Sequence, residues 1–168
     1  MDLAPVHVAM AILVGLGATL VIDLWALLLR RGFNIPSLSM CLLGRWLLQV
    51  PKGTFMHRSI AQTPPGSREC TIGWIAHYLI GATFALIFAV LTSGSWLERP
   101  TIMPALIFGV VTTLVPLFVM QPALGLGVAA SQTPHPNQAR VKSLATHTIF
   151  GLGLYLWASL LSHFVFPA

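Results

Sequence analysis

The stretch that decides the fold runs from Pro5 to Leu29 and reads PVHVAMAILVGLGATLVIDLWALLL. Asp23 is its one Asp, Glu, Lys or Arg. A bilayer core about 30 Å thick needs roughly 20 such residues in a helix. Three further apolar runs follow, from about Thr71 to Leu91, Thr101 to Ala130 and Val141 to Phe166. Of the 168 residues, 56% are hydrophobic and 8% charged, against about a quarter charged in an ordinary soluble domain. So little charge cannot cover the surface of a soluble monomer. These observations predict an all-α, polytopic membrane four-helix bundle, with residues 1–168 forming a single integral membrane domain. The first run is read as a true span and not as a cleavable signal, since only Asp2 offers charge ahead of it and it is too long for a signal core.

Basic residues set the expected orientation. Arg30, Arg31, Arg45, Lys52, Arg58 and Arg68 fall between spans one and two, and Arg140 and Lys142 between three and four. Only Arg99, beside Glu98, falls in the remaining loop. The positive-inside rule makes the basic side cytoplasmic. Both termini then face outward, with Trp96 and the segment near His163 at the outer interface. The net charge of +5 is thus a topology signal that also attracts anionic lipid at the cytoplasmic face. It is no argument for nucleic acid. Cys41 and Cys70 fall on the side where thiols stay reduced, so no disulfide is expected, and two isolated cysteines make no metal motif.

The chain carries an internal echo. QTPPGSRECTIGWIAHYLIG from Gln62 and QTPHPNQARVKSLATHTIFG from Gln132 share Gln-Thr-Pro and align His77 with His147 and Gly81 with Gly151, at an offset of 70. GLGATLVIDL from Gly15 aligns with GVVTTLVPLF from Gly109 at an offset of 94. Two helical hairpins in the same orientation would be related by an axis along the membrane normal. The change in offset places about 24 extra residues in the first half. That insertion, about residues 34–51, reads NIPSLSMCLLGRWLLQVP from Asn34. It is too short to span, and Pro51 stops it. An interfacial or re-entrant helix is expected, with Arg45 and Trp46 at the headgroups.

Read every fourth residue, each span shows a stripe of small side chains, such as Ala11, Gly15 and Thr19 in the first and Gly73, Gly81, Ala85 and Ala89 in the second. Small residues let membrane helices approach closely. Polar groups share these stripes: Asp23, His77, Gln121 and His147. At 1.5 Å per residue, Asp23, His77 and His147 each lie about 9 Å from the inner ends of their spans. Pro116 and Pro122 should kink the third span near Gln121.

Three uses of this cluster are open. It could be a structural knot fixing helix register. It could be a proton or divalent-metal site, with Asp23, His77, His147 and Gln121 as ligands, because two imidazoles and a carboxylate suit transition metals and Asp/His chains carry protons. It could hold haem b between His77 and His147, with Gly81 and Gly151 leaving room for the macrocycle. The leading reading is binding or translocation of protons or a divalent metal ion. The alternatives are a bis-histidine electron carrier and a non-catalytic assembly or stress-related factor. Four helices give a thin wall for a transport path, which favours a homodimer. No Gly-x-Ser-x-Gly, P-loop or His-Glu-x-x-His is present, so no catalytic residues are assigned and soluble hydrolase or kinase chemistry has no support.

The strings GATLVIDLWALLLRRGFNIPSLSMCLLGRW, GWIAHY, VMQPALGLGVAASQTP and SLATHTIFGLGLYLWA together resemble a bacterial family of small inner-membrane proteins catalogued as domain of unknown function 2938. The resemblance covers nearly the whole chain. It implies a bacterial source and a four-helix membrane protein, and supplies no activity, cofactor or site residue.

Overall fold

A computed structural model describes residues 3–166; Asp2, invoked above against a signal peptide, lies outside them. Seven α-helices are assigned among the described residues: α1 (Pro5–Phe33), α2 (Met40–Gln49), α3 (Glu69–Leu91), α4 (Ser95–Glu98), α5 (Ile102–Thr112), α6 (Gln121–Ala123) and α7 (Pro136–Val165). Four stretches are long and apolar enough to cross a membrane: α1, α3, α7 and the composite Ile102–Ala123. Their outward faces carry bare apolar side chains, among them Leu24, Leu79, Ile107 and Leu160. Lipid is the solvent that tolerates such a surface.

Glycine decides where the helices touch. A Cβ on Gly15 of α1 would lie 2.6 Å from both the Gly81 carbonyl oxygen and Ala82 Cα of α3. A Cβ on Gly109 of α5 would lie 2.5 Å from the His147 carbonyl oxygen and 2.7 Å from Gly151 Cα of α7. The same device joins α1 to α7, where Gly17 faces the Trp157 ring and Gly153 faces Ala18. At the basic end Gly44 of α2 packs on the backbone of Glu69 and Gly73. With no hydrophobic drive between helices in lipid, this backbone-close packing supplies the cohesion. Phe88, Trp96, Leu97, Phe150 and Leu154 fill the core between the crossings.

Several expectations need correction. The third span ends at Ala123, and not near Ala130, because Gly125 and Gly127 adopt φ of +83° and +75° and turn the chain. Pro116 lacks the N–H that would continue the α ladder, and residues Pro116–Met120 form a π turn. The fourth span begins at Pro136, earlier than Val141, since proline is well placed in a first helical turn. Trp96 is not an interfacial anchor: it is 6% exposed, packs on Phe88 and donates Nε1–H to the Thr101 carbonyl at 3.0 Å.

Two corrections concern the insertion. Arg45 does not reach for headgroups. Its Nε and Nη2 form a fork on the Glu69 carboxylate at 2.9 and 2.8 Å, and Nη1 donates to the Thr63 carbonyl at 2.9 Å. Hydrogen bonding to Glu69 raises the Arg45 pKa above its already high value. Glu69 also accepts from the Gly66 N–H at 2.8 Å, so the loop before α3 is tied to the same carboxylate. Secondly, Cys41 and Cys70 form a disulfide. The expectation of free thiols rested on compartment alone, whereas the glycine crossing of α2 on α3 brings the two sulfurs together.

Candidate functional site

The bundle holds a half-open cavity of about 490 Å3. Asp23, His77, Gln121 and His147 all line it. Its outer limit is the aromatic pair Phe84 and Phe150, whose rings meet edge to face at 6.1 Å. Pro36, Ala139 and Lys142 line it towards the basic end, and the Lys142 ammonium donates to the Pro36 carbonyl. Ser37, Leu38, Met40 and Leu43 complete a wall built by the insertion. The lining is mostly apolar with a few polar groups, the usual composition of a small-molecule site.

Asp23 is the best-held group. Its Oδ1 lies 3.0 Å from His77 Nε2, and its Oδ2 accepts from the Tyr78 hydroxyl at 2.7 Å. The carboxylate can only accept here, so Nε2 carries the hydrogen. The Gly15–Gly81 crossing lets α1 and α3 come near enough for these bonds. Trp74 packs edge-on against His77 at 5.8 Å between ring centres. The Asp23 and His77 side chains retain 21% and 17% exposure.

His147 belongs to a different pair. The Thr112 hydroxyl lies 2.6 Å from the Gly109 carbonyl oxygen and 2.8 Å from His147 Nδ1. A carbonyl only accepts, so the single hydroxyl proton goes to Gly109 and the Thr112 oxygen accepts from Nδ1–H. In a neutral imidazole Nε2 is then left as an acceptor. Gln121 is 8% exposed, and its Oε1 is buried without a partner. The π turn brings it to the cavity: the Gln121 N–H reaches back to the Pro116 carbonyl.

The four chosen side chains therefore share a cavity without sharing one centre. Among the described residues no three of His, Cys, Asp and Glu gather as a metal-binding group. Haem fits poorly as well. The two glycines expected to make room are already filled, Gly81 by the Thr19 side chain and Gly151 by the backbone of Ala105 and Leu106.

Sequence reasoning overlooked Tyr78, Thr112 and Lys142. Tyr78 neighbours His77 in sequence, and one turn of α3 can offer both to α1, which was the available signal. Nothing in the sequence distinguished Thr112 from Thr113. No curated protein and no solved structure matches the chain. A family model matches residues 12–161, a stretch that takes in most of the first and last spans, the whole of the two between them and every polar group of the cavity, and the chain accordingly belongs to the family described as Protein of unknown function (DUF2938).

Proposed function

We propose that this is a multi-pass protein of the bacterial inner membrane that binds a small solute, together with a proton, in its intramembrane cavity. The observation that carries the proposal is the shared lining: one carboxylate, two imidazoles and a carboxamide from α1, α3, the third span and α7 face a single space of about 490 Å3. A space of that size is ample for a small organic molecule. An intramembrane carboxylate bonded to an imidazole is a natural proton holder, because ionisable groups at this depth mark proton and solute paths. The ion we assign to the site is the proton, since the imidazoles of His77 and His147 are engaged by different partners.

The orientation we assign follows the basic loops: cytoplasm on the side of Arg30, Arg45 and Lys142, periplasm on the side of both termini; it sets the charge rule above the Cys41–Cys70 bond, which lies on the basic side and by itself favours an oxidising compartment. The matching crossings Gly15–Gly81 and Gly109–Gly151 support descent from one duplicated hairpin. A homodimer remains part of the proposal.

Purified protein in liposomes loaded with a pH-sensitive dye tests the reading. Wild type should pass protons under an imposed gradient, and Asp23→Asn should abolish the flux while keeping fold and melting temperature. Undiminished flux in Asp23→Asn would reduce the cluster to a structural knot.

A further inference from the structure

The two cysteines are a reactive pair that the proposed function leaves unused. Each is the second residue of its helix, Cys41 in α2 and Cys70 in α3. The N–H groups of a first helical turn favour a thiolate there. Arg68, two residues before Cys70, is exposed, and so are Lys52 and Arg58 on the same loop. Cys70 is itself exposed and Cys41 half-buried, so the bond between them can be reached from outside the bundle. Nor is that bond alone in holding α2 on α3. A Cβ on Gly44 would run into the Glu69 carbonyl and one on Gly73 into the Met40 carbonyl, while the Arg45 fork grips the Glu69 carboxylate beside them. Opening the bond therefore leaves both sulfurs placed to close again. The pair also lies at the basic end, which the charge rule gives to the cytoplasm. A disulfide in that compartment is usually transient and works by opening and closing.

From this we infer that Cys41 and Cys70 form a redox-active pair that exchanges two electrons with a small anionic thiol of the cytosol. The inference rests on the orientation assigned above and on no other part of the proposed function. A partner thiolate attacks Cys70 Sγ, the exposed sulfur. A bond forms between them, the Cys41–Cys70 bond breaks, and its electron pair leaves on Cys41 Sγ at the first turn of α2. A second partner thiolate then attacks the first partner's sulfur and releases Cys70 as a thiolate. In balance, two partner thiols become one disulfide and give up two electrons and two protons, and the protein takes up both as two thiols. The partner's disulfide drives the reverse. The preference for an anion follows from Arg68, whose charge meets an incoming carboxylate beside the sulfur under attack.

Full-length protein purified in air is equilibrated anaerobically in buffers of graded reduced-to-oxidised glutathione, quenched with acid and counted for thiols by maleimide gel shift. The pair should pass from no label to two labels within the ratios of a reducing cytosol, along one curve from either starting state. A pair that stays closed throughout and opens only in excess dithiothreitol, or that fails to close again, would overturn the inference. With oxidised glutathione, Cys41→Ser should form a mixed disulfide at Cys70 roughly tenfold faster than Cys70→Ser forms one at Cys41; equal rates would overturn Cys70 as the sulfur attacked. Arg68→Glu should slow reduction by glutathione roughly threefold or more and affect neutral 2-mercaptoethanol less; equal slowing would overturn the anionic class. Orientation is read separately, from Ser67→Cys in a Cys41→Ser, Cys70→Ser background in intact spheroplasts. Labelling by a membrane-permeant maleimide alone supports the cytoplasmic placement. Labelling by an impermeant one would overturn that placement and the cytosolic partner with it, whereas a pair that does not titrate, with the reporter still cytoplasmic, would overturn the inference alone.

Discussion

The glycine crossing of α1 on α3 permits a sharp test, because the same substitution should have opposite effects at two places in one helix. In Gly15→Ala the new methyl would lie 2.6 Å from Ala82 Cα and from the Gly81 oxygen, well inside the 3.4 Å of an ordinary contact. Both neighbours are backbone, so neither can rotate away, and the helices must part by roughly 0.8 Å, the difference between those distances. Overpacking costs about 1–3 kcal/mol, and a backbone clash belongs at the upper end. The better helix propensity of alanine offsets about 1 kcal/mol. The net loss is about 2 kcal/mol, or roughly 4–8 °C in melting temperature for a chain of this size. Gly32, in the last turn of the same helix, has nothing within 4 Å of its would-be Cβ, so Gly32→Ala should leave stability unchanged or raised by up to about 1 kcal/mol. Thermal unfolding in detergent, followed by size exclusion after heating, measures both. Equal melting temperatures for the two variants would refute the argument that backbone contact at Gly15 holds the bundle.

Other outcomes follow from the polar contacts. Tyr78→Phe removes one of the two donors to Asp23 and should cost about 1 kcal/mol, read as a lower melting temperature with the bundle intact. Glu69→Gln should lower the melting temperature and make the 60–66 loop sensitive to protease, because it disrupts the fork from Arg45 and weakens the tie to Gly66; an unchanged digestion pattern would argue against the lock. Protein denatured without reductant should take up no maleimide and, after reduction, two per chain; labelling before reduction would refute the Cys41–Cys70 bridge.

The spans were legible because apolar runs of this length admit few alternatives, and the polar stripe positions were legible because period-four spacing fixes a helix face. The pairing within the cavity was not. Spacing gives depth along a helix and says nothing of how two helices rotate against each other, so Asp23 with His77 was foreseeable while Thr112 with His147 was not. The insertion misled for a related reason. Arg45 and Trp46 read as headgroup anchors when taken alone, and only the crossing of α2 on α3, set by Gly44 and Gly73, turns Arg45 inward onto Glu69. The disulfide escaped the same way, since its cysteines are 29 residues apart and meet only through that crossing.

The length of α7 bears on how a solute would reach the cavity. Thirty residues make about 45 Å of helix, and a tilt of about 20° still leaves roughly 42 Å across a hydrocarbon layer of about 30 Å. The polar run from Pro136 to Ser143 is the natural overhang, which puts Ala139 and Lys142 among the phosphates and glycerols. On the proposed membrane placement, an amphiphile dissolved in that leaflet would meet the Ala139 and Lys142 end of the cavity at headgroup depth. Its occupancy will follow its concentration in the leaflet, so apparent affinity should scale with the oil–water partition coefficient of the solute and change with the lipid chosen for the assay.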